Sequence, residues 1–172
     1  VSMMPKNTDI QIKDLRTSLQ QIQYRTPIKF GGRVVDEVTL FNVEIEVETG
    51  DGRRGTGFGS MPMGNAWGWP SDTESGDRTL DAMIQLGEHC AQEAAHYPNA
   101  GHPLELMHDL QPTFSNRAQQ LITAMQLQEA IPKLAQLVAT SPIDAALHDA
   151  YGKALHENSY NLLSSTYMNR DL

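Results

Sequence analysis

Cysteine is almost missing: the 172 residues contain one, Cys90. That excludes an intramolecular disulfide framework and a cysteine-based zinc cluster, and it suits a reducing cytoplasm. No run approaches the roughly 18 apolar residues of a membrane span, and nothing near Val1 resembles a signal peptide, so no membrane partner is expected. Basic residues are scarce: 13 Lys and Arg against 21 Asp and Glu give a net charge of -8. Nucleic-acid phosphates would be repelled rather than neutralised, which argues against a nucleic-acid partner. Nucleophile elbow, P-loop and Ser-His-Asp patterns are all absent, as are internal repeats and low-complexity runs. What is present is 40% hydrophobic and 20% charged, a globular composition with chain enough for one domain burying roughly two-thirds of its unfolded surface.

The two halves are built from different material. Residues 10–60 are β-branched or aromatic with glycine punctuation, and residues from 79 onward are mostly Ala, Leu, Gln, Met and His. Strands followed by helices predict an α+β fold rather than alternating βαβ units. Residues 39–48 form the clearest strand, with Phe41, Val43, Ile45 and Val47 on one face and Glu44, Glu46 and Glu48 on the other. Thr49-Gly50-Asp51-Gly52 is turn chemistry. Residues 54–60 return as a strand whose Gly55, Gly57 and Gly59 suggest close backbone packing. Further upstream, Ile12, Leu15, Leu19 and Ile22 have nearly helical spacing, whereas Thr17, Tyr24 and Thr26-Pro27 fit extended chain; pattern alone leaves both open. In the second half, Asp77 is the expected N-cap of a helix reaching about Ala95. Shorter helices are expected over 104–110 and 118–128, and Pro132 either kinks the latter or opens a new helix over 134–138. Ser141-Pro142-Ile143-Asp144 reads as a helix start, running to about Leu155.

Candidate chemistry is sparse. Gly50-Asp51-Gly52-Arg53-Arg54-Gly55 matches GxGxxG, but a dinucleotide site needs the loop to open a helix, and Thr56-Gly57-Phe58-Gly59 is poor helix material. It reads as a hairpin turn. The six histidines form no defensible metal site: His148 shares a helical face with Asp144, and further ligands are not evident. Cys90 lies on an apolar helical stripe as a core residue. Two Gly- and Pro-rich segments carry more. Thr26-Pro27-Ile28-Lys29-Phe30-Gly31-Gly32-Arg33 joins the first two strands, and Met61-Pro62-Met63-Gly64-Asn65-Ala66-Trp67-Gly68-Trp69-Pro70 follows the third. Large apolar groups are costly to leave in water, so these loops either fold back on the core or close over a small-molecule pocket, with Lys29 or Arg33 available to an anionic group.

The motifs 26–31, 43–49, Gly50-Asp51-Gly52 and Arg54-Gly55-Thr56-Gly57-Phe58-Gly59 resemble the N-terminal capping domain of the enolase superfamily, in its mandelate racemase and muconate lactonizing branch. Ser141-Pro142-Ile143-Asp144-Ala145-Ala146-Leu147-His148-Asp149-Ala150-Tyr151 resembles the helix joining cap to barrel, and Asn161-Leu162-Leu163 stands where the family carries Leu-Leu-Gly. The chain departs from the family pattern at Gly59-Ser60, often Gly-Glu, and at Ser164-Ser165. The resemblance implies a three-stranded antiparallel meander followed by a helical bundle, and it resolves 10–24 as a strand. It divides the chain into a cap, 1–140, and a linker, 141–172. It further implies two mobile loops that close over the substrate, here with Lys29, Phe30, Met61, Met63, Asn65, Trp67 and Trp69. The family chemistry is Mg²⁺-assisted removal of a proton α to a carboxylate, with base and metal ligands from a (β/α)₈ barrel. A barrel needs about 200 residues or more, and no catalytic or metal residue carries over onto this sequence. The expectation is therefore an isolated chain without catalytic residues, metal or cofactor of its own, inactive alone. The parent enzyme would act on a small carboxylate, such as a sugar acid, as racemase, dehydratase or cycloisomerase. Homo-oligomers are expected, through the helix 141–155 or the two apolar loops. The alternative is a stand-alone α+β binding or assembly module with the cap fold.

Overall fold

Alternation in the first half produces a three-stranded antiparallel sheet in the order β1-β2-β3. A computed structural model describes residues 5–30 and 32–171; readings that touch Val1, Gly31 and Leu172 fall outside them. The strands are β1 (Ile10–Phe30), β2 (Arg33–Thr49) and β3 (Arg54–Pro62). They are followed by a short helix α1 (Asn65–Gly68) and three long helices, α2 (Gly76–Ala95), α3 (Pro103–Met125) and α4 (Lys133–Leu155), with a 3₁₀ turn at Ser159–Leu162. The α+β reading holds.

Phe41, Val43, Ile45 and Val47 are all fully buried beneath the helices. Their neighbours Glu44, Glu46 and Glu48 lie on the opposite face, where Arg54 pairs with Glu46 and Glu48 across the strands (3.3 and 2.8 Å). GxGxxG is a hairpin: the Gly52 N–H donates to the Thr49 carbonyl (2.9 Å) and Arg54 begins β3. β1 is one strand, with pairing shifts between Ile12 and Asp14 and between Gln23 and Ile28. The second gap contains Pro27, which has no N–H to give a ladder.

Gly55, Gly57 and Gly59 pair with Val47, Ile45 and Val43, so all three face the helices. There they meet α4 backbone to backbone. A methyl group at Gly57 would overlap the Ala146 carbonyl oxygen and the Ala150 amide nitrogen and lie 2.9 Å from the Ala150 Cα. Gly55 is equally close to Ala150 and Ala154, and Gly59 to Pro142 and Ala146. On α4 these contacts recur every four residues, one face of a helix made from small side chains. The other sides of α4 carry Ile143, Leu147 and Tyr151 into the core with Met83, Leu86 and Leu106. The apolar side chains of the 141–155 helix are thus used inside the chain. Cys90 is fully buried in the same core, and burial pushes its thiol up to about 12.

The helix boundaries differ from expectation in three places, each for a local reason. Ser75, not Asp77, caps α2, its Oγ accepting from the Arg78 N–H (3.3 Å); Asp77 instead adds a negative charge to the first turn. The separate helices over 104–110 and 118–128 are one helix, α3, which passes through Pro112. The residue whose carbonyl Pro112 leaves without a partner, His108, is exposed to water. Ser141-Pro142 lies inside α4, which Pro132 introduces, rather than starting a helix. Pro142 cannot donate to Val138, and the Ser141 hydroxyl donates to that carbonyl instead (2.9 Å).

Gly57→Ala is expected to destabilise the chain by about 3 kcal/mol, since backbone on both sides of the new methyl cannot yield. Thr56→Ala on the exposed face should change stability by less than about 0.5 kcal/mol. Urea denaturation of both variants checks the contrast; equal stabilities would contradict the packing.

Candidate functional site

The strands do not end together. β3 pairs with β2 only up to Leu40 opposite Pro62, so the distal part of the β1-β2 hairpin projects as a two-stranded arm. Its tip pairs Ile28 with Val35 and Phe30 with Arg33. The segment expected as a loop over 26–33 is therefore mostly strand, and its apolar residues stand on a ribbon. On the helix-facing side of the arm, Ile28, Phe30, Val35, Glu37 and Thr39 follow one another.

The second segment turns back beside that arm. The Met63 N–H donates to the Thr39 carbonyl (2.8 Å), after which the chain enters α1. Gly64 has no side chain because the Trp67 indole lies where one would be. Asn65 pins α1 to the start of α2, its Nδ2 donating to the Gly76 carbonyl (2.7 Å) and the Thr79 hydroxyl (2.9 Å). Arg33 ties the arm down from the other side by donating to the Ser71 carbonyl (3.2 Å).

Between arm and turn lies a cleft of about 340 Å³. Phe30, Met63, Asn65 and Trp67 line it. Phe30 and Trp67 keep 49% and 38% of their surface exposed, whereas Met63 forms the floor at 2%. The other three expected residues stand elsewhere. Lys29 points to the opposite side of the ribbon from Ile28 and Phe30, as strand alternation requires. Met61 pairs with Phe41 and packs against the core. Trp69 is buried, its indole N–H donating to Glu129 Oε1 (2.8 Å). The Ser71 hydroxyl and that indole hold the Glu129 carboxyl below its usual range. Nearby, Glu74 accepts from the Gln128 N–H (2.6 Å) and Arg78 (2.7 Å), which lowers its pKa.

Sequence reading missed Tyr24, Val35, Glu37, Val38 and Leu80, which complete the wall. Val35 and Glu37 were readable in principle, because two-residue alternation from Phe41 through Thr39 leads back to them. A broader depression of about 730 Å³ runs along α4 beside His148, Lys153 and Asn158. It is open, and none of the expected residues reaches it.

Polar chemistry concentrates instead where the two ends of the described chain meet. Asn169 Nδ2 donates to both Asp9 oxygens (2.9 and 3.1 Å) and to Glu105 Oε2 (3.0 Å), and the Arg170 N–H donates to Glu105 Oε1 (2.8 Å). Although burial opposes it, these donors lower the Glu105 pKa. His102 caps α3: its Nδ1 accepts from the Leu104 N–H (3.2 Å), so the proton rests on Nε2, which donates to the Leu162 carbonyl (3.0 Å). The ring is fully buried against Tyr151, centroids 5.0 Å apart, and burial lowers its pKa. Among the described residues no group of three or more His, Cys, Asp and Glu side chains could hold a metal ion. The described residues therefore supply no ligand set that fits Mg²⁺. Among the described residues no helix is long and apolar enough to cross a membrane.

A three-stranded meander carrying a helical layer, with two segments converging at one end, is an α+β fold that recurs in a solved enolase. An enolase from Bradyrhizobium, crystallised with magnesium and mandelic acid, shares this fold at a TM-score of 0.51 and 18% identity, over 90% of this chain and 35% of that one. L-talarate/galactarate dehydratase from Salmonella typhimurium LT2 aligns at 0.47 and 19% identity, over 86% of this chain and 31% of that one. The chain thus spans about a third of the length of the structures it matches. No family model matches the chain, and no curated protein matches its sequence.

The His102 geometry sets a pH dependence. Its folded pKa is depressed, so the unfolded chain takes up the proton first as pH falls. Stability should therefore decline from about pH 6.5 downward, the ordinary histidine value, and continue to decline until the folded pKa is reached. Unfolding midpoints measured at about pH 7.5 and 5.5 should converge in His102→Asn relative to wild type; an unchanged difference would contradict this assignment.

Proposed function

We propose that this chain is the capping portion of an enolase-superfamily enzyme of the mandelate racemase and muconate lactonizing type. The observation that carries the reading is the meeting of the β1-β2 tip and the α1 turn around one cleft, on a fold shared with an enolase crystallised with mandelic acid. The enzyme would remove a proton α to the carboxylate of a small acid, and racemisation, dehydration and cycloisomerisation all begin with that step. Mg²⁺, held outside this chain, would supply charge stabilisation for the resulting enediolate.

The work left to these residues is closure. Phe30 and Trp67, the exposed aromatics of the two tips, exclude water from the bound substrate. Met63 gives the cleft an apolar floor. Asn65 holds the α1 turn in place, since both hydrogens of its amide are engaged with α2. Lys29 stands outside the cleft wall and would reach the substrate only if the arm moved. The cap corresponds to residues 1–140 and the linker to 141–172, with base and metal carboxylates contributed by a (β/α)₈ barrel. A cytoplasmic homo-oligomer fits the single buried cysteine and the exposed apolar groups Val34, Phe58, Leu134 and Leu137.

The test is α-hydrogen exchange in D₂O with Mg²⁺ and a panel of 2-hydroxy and 2-amino acids. The purified 172-residue chain should exchange none of them. A polypeptide that joins it to a barrel should exchange at least one, and Trp67→Ala there should lower kcat/KM by about 10- to 100-fold. Exchange by the isolated chain, or full activity of the Trp67→Ala enzyme, would overturn the proposal.

A further inference from the structure

Charge is distributed unevenly around the cleft. Of the residues lining it, Glu37 alone carries a charge, although the chain as a whole has 34 Asp, Glu, Lys and Arg (13 basic plus 21 acidic). Three aromatic rings, Tyr24, Phe30 and Trp67, share the wall with that carboxylate. The cations nearest in sequence are occupied or turned away: Arg33 donates to the Ser71 carbonyl, and Lys29 lies on the other side of the ribbon. Glu37 is opposite Gln23, whose amide donates to its Oε2 (2.7 Å). No ion pair to Glu37 occurs among the described residues.

We infer that the cleft takes an organic cation: an amine or alkylammonium group on an apolar body, held by Glu37 and the faces of Trp67, Phe30 and Tyr24. A carboxylate oriented by hydrogen bonding attracts the positive head. Aromatic faces add cation–π attraction and cover its alkyl substituents, which cannot hydrogen-bond to water. An anion in the same place would face Glu37 with no cation among the lining residues and would surrender its hydration to apolar walls. Of the donor-bearing side chains around the cleft, Tyr24, Thr39, Asn65 and Trp67, Asn65 has already given both amide hydrogens to α2. The volume, about 340 Å³, suits a group no larger than a substituted phenyl or piperidine ring.

This inference deepens the capping reading and rests on it for the identity of the ligand. The substrate would be an acid whose distal end bears a cationic nitrogen, rather than a polyhydroxy diacid. Its test needs no turnover. The folded chain is titrated with phenyltrimethylammonium, phenylacetate and galactarate at matched ionic strength. Binding is read from the indole N–H resonances of Trp67 and Trp69 in ¹H–¹⁵N spectra. Phenyltrimethylammonium should shift the Trp67 resonance saturably at millimolar concentration and leave buried Trp69 in place. Glu37→Gln, which keeps the pairing with Gln23, should weaken that binding about tenfold. Trp67→Phe should weaken it as well, read then from ligand line broadening. Either phenylacetate or galactarate binding as tightly as the cation would overturn the inference. So would a Glu37→Gln chain with unchanged affinity, or no saturable shift with the cation. If α-hydrogen exchange fails while cation binding holds, the capping reading falls and the cleft's preference stands; the reverse result discards the preference alone.

Discussion

The structure depends on the distance between α4 and β3. Three glycines on alternate positions of β3 and small residues on every fourth position of α4 let two backbones touch where side chains would normally separate them. Helix and sheet usually pack about 10 Å apart because two layers of side chains stand between them. Removing one layer draws α4 down onto the sheet and frees its other sides to meet α2 and α3, which explains why a single helix carries so much of the core. The contact also protects the sheet edge. β3 is an outer strand, and Asp149 of α4 accepts from the Phe58 N–H (2.8 Å) while holding Lys153 (2.7 Å). A carboxylate that caps an edge amide removes a template for pairing with another chain.

From that anchor the rest follows outward in decreasing rigidity. The β2 core face is buried up to Phe41, and from there the β1-β2 ribbon leaves the body. A two-stranded ribbon has little stability of its own in water, so the arm's position rests on its base. Arg33 on Ser71, and the Met63 N–H on the Thr39 carbonyl, supply that support. The site is therefore half scaffold and half arm. Met63, Asn65 and Leu80 belong to the packed body, while Ile28, Phe30, Val35 and Glu37 belong to the ribbon. The body thus sets where the cleft lies, and the ribbon forms its outer wall.

Much of this was legible in the sequence, and the exceptions have physical causes. The alternation of Phe41, Val43, Ile45 and Val47 against three glutamates marked β2 without ambiguity, and the β3 glycines announced a close approach. Pattern alone left the first strand open because of its irregular pairing. The core side of β1 carries Ile10, Ile12, Leu15, Thr17 and Leu19, and the extra residue between Ile12 and Asp14 in the register converts a two-residue period into a three-residue step. That step imitates a helix. Proline misled at one helix: Ser141-Pro142 read as a helix start, yet α4 runs on through it because the Ser141 hydroxyl serves the carbonyl that proline abandons. In the site, Phe30, Met63 and Trp67 from the glycine-rich segments line one cleft. Composition could not separate wall from core, because Met63, Trp67 and Trp69 differ in side-chain direction, which only the α1 turn sets. Glu37 stayed hidden as one more acid in an acidic chain, and its importance came from the absence of other charge around it.

Native-state amide hydrogen exchange tests the α4–β3 anchor most directly. The amides of Val43, Ile45 and Phe58, together with the middle of α4, should exchange only through global unfolding, at one common free energy. Amides on the distal ribbon, residues 20–30 and 33–38, should exchange through a cheaper local opening that leaves the anchor closed. If β3 and α4 instead exchanged faster than α2 and α3, or at the rate of the ribbon, the glycine-mediated contact would not be what holds this chain together.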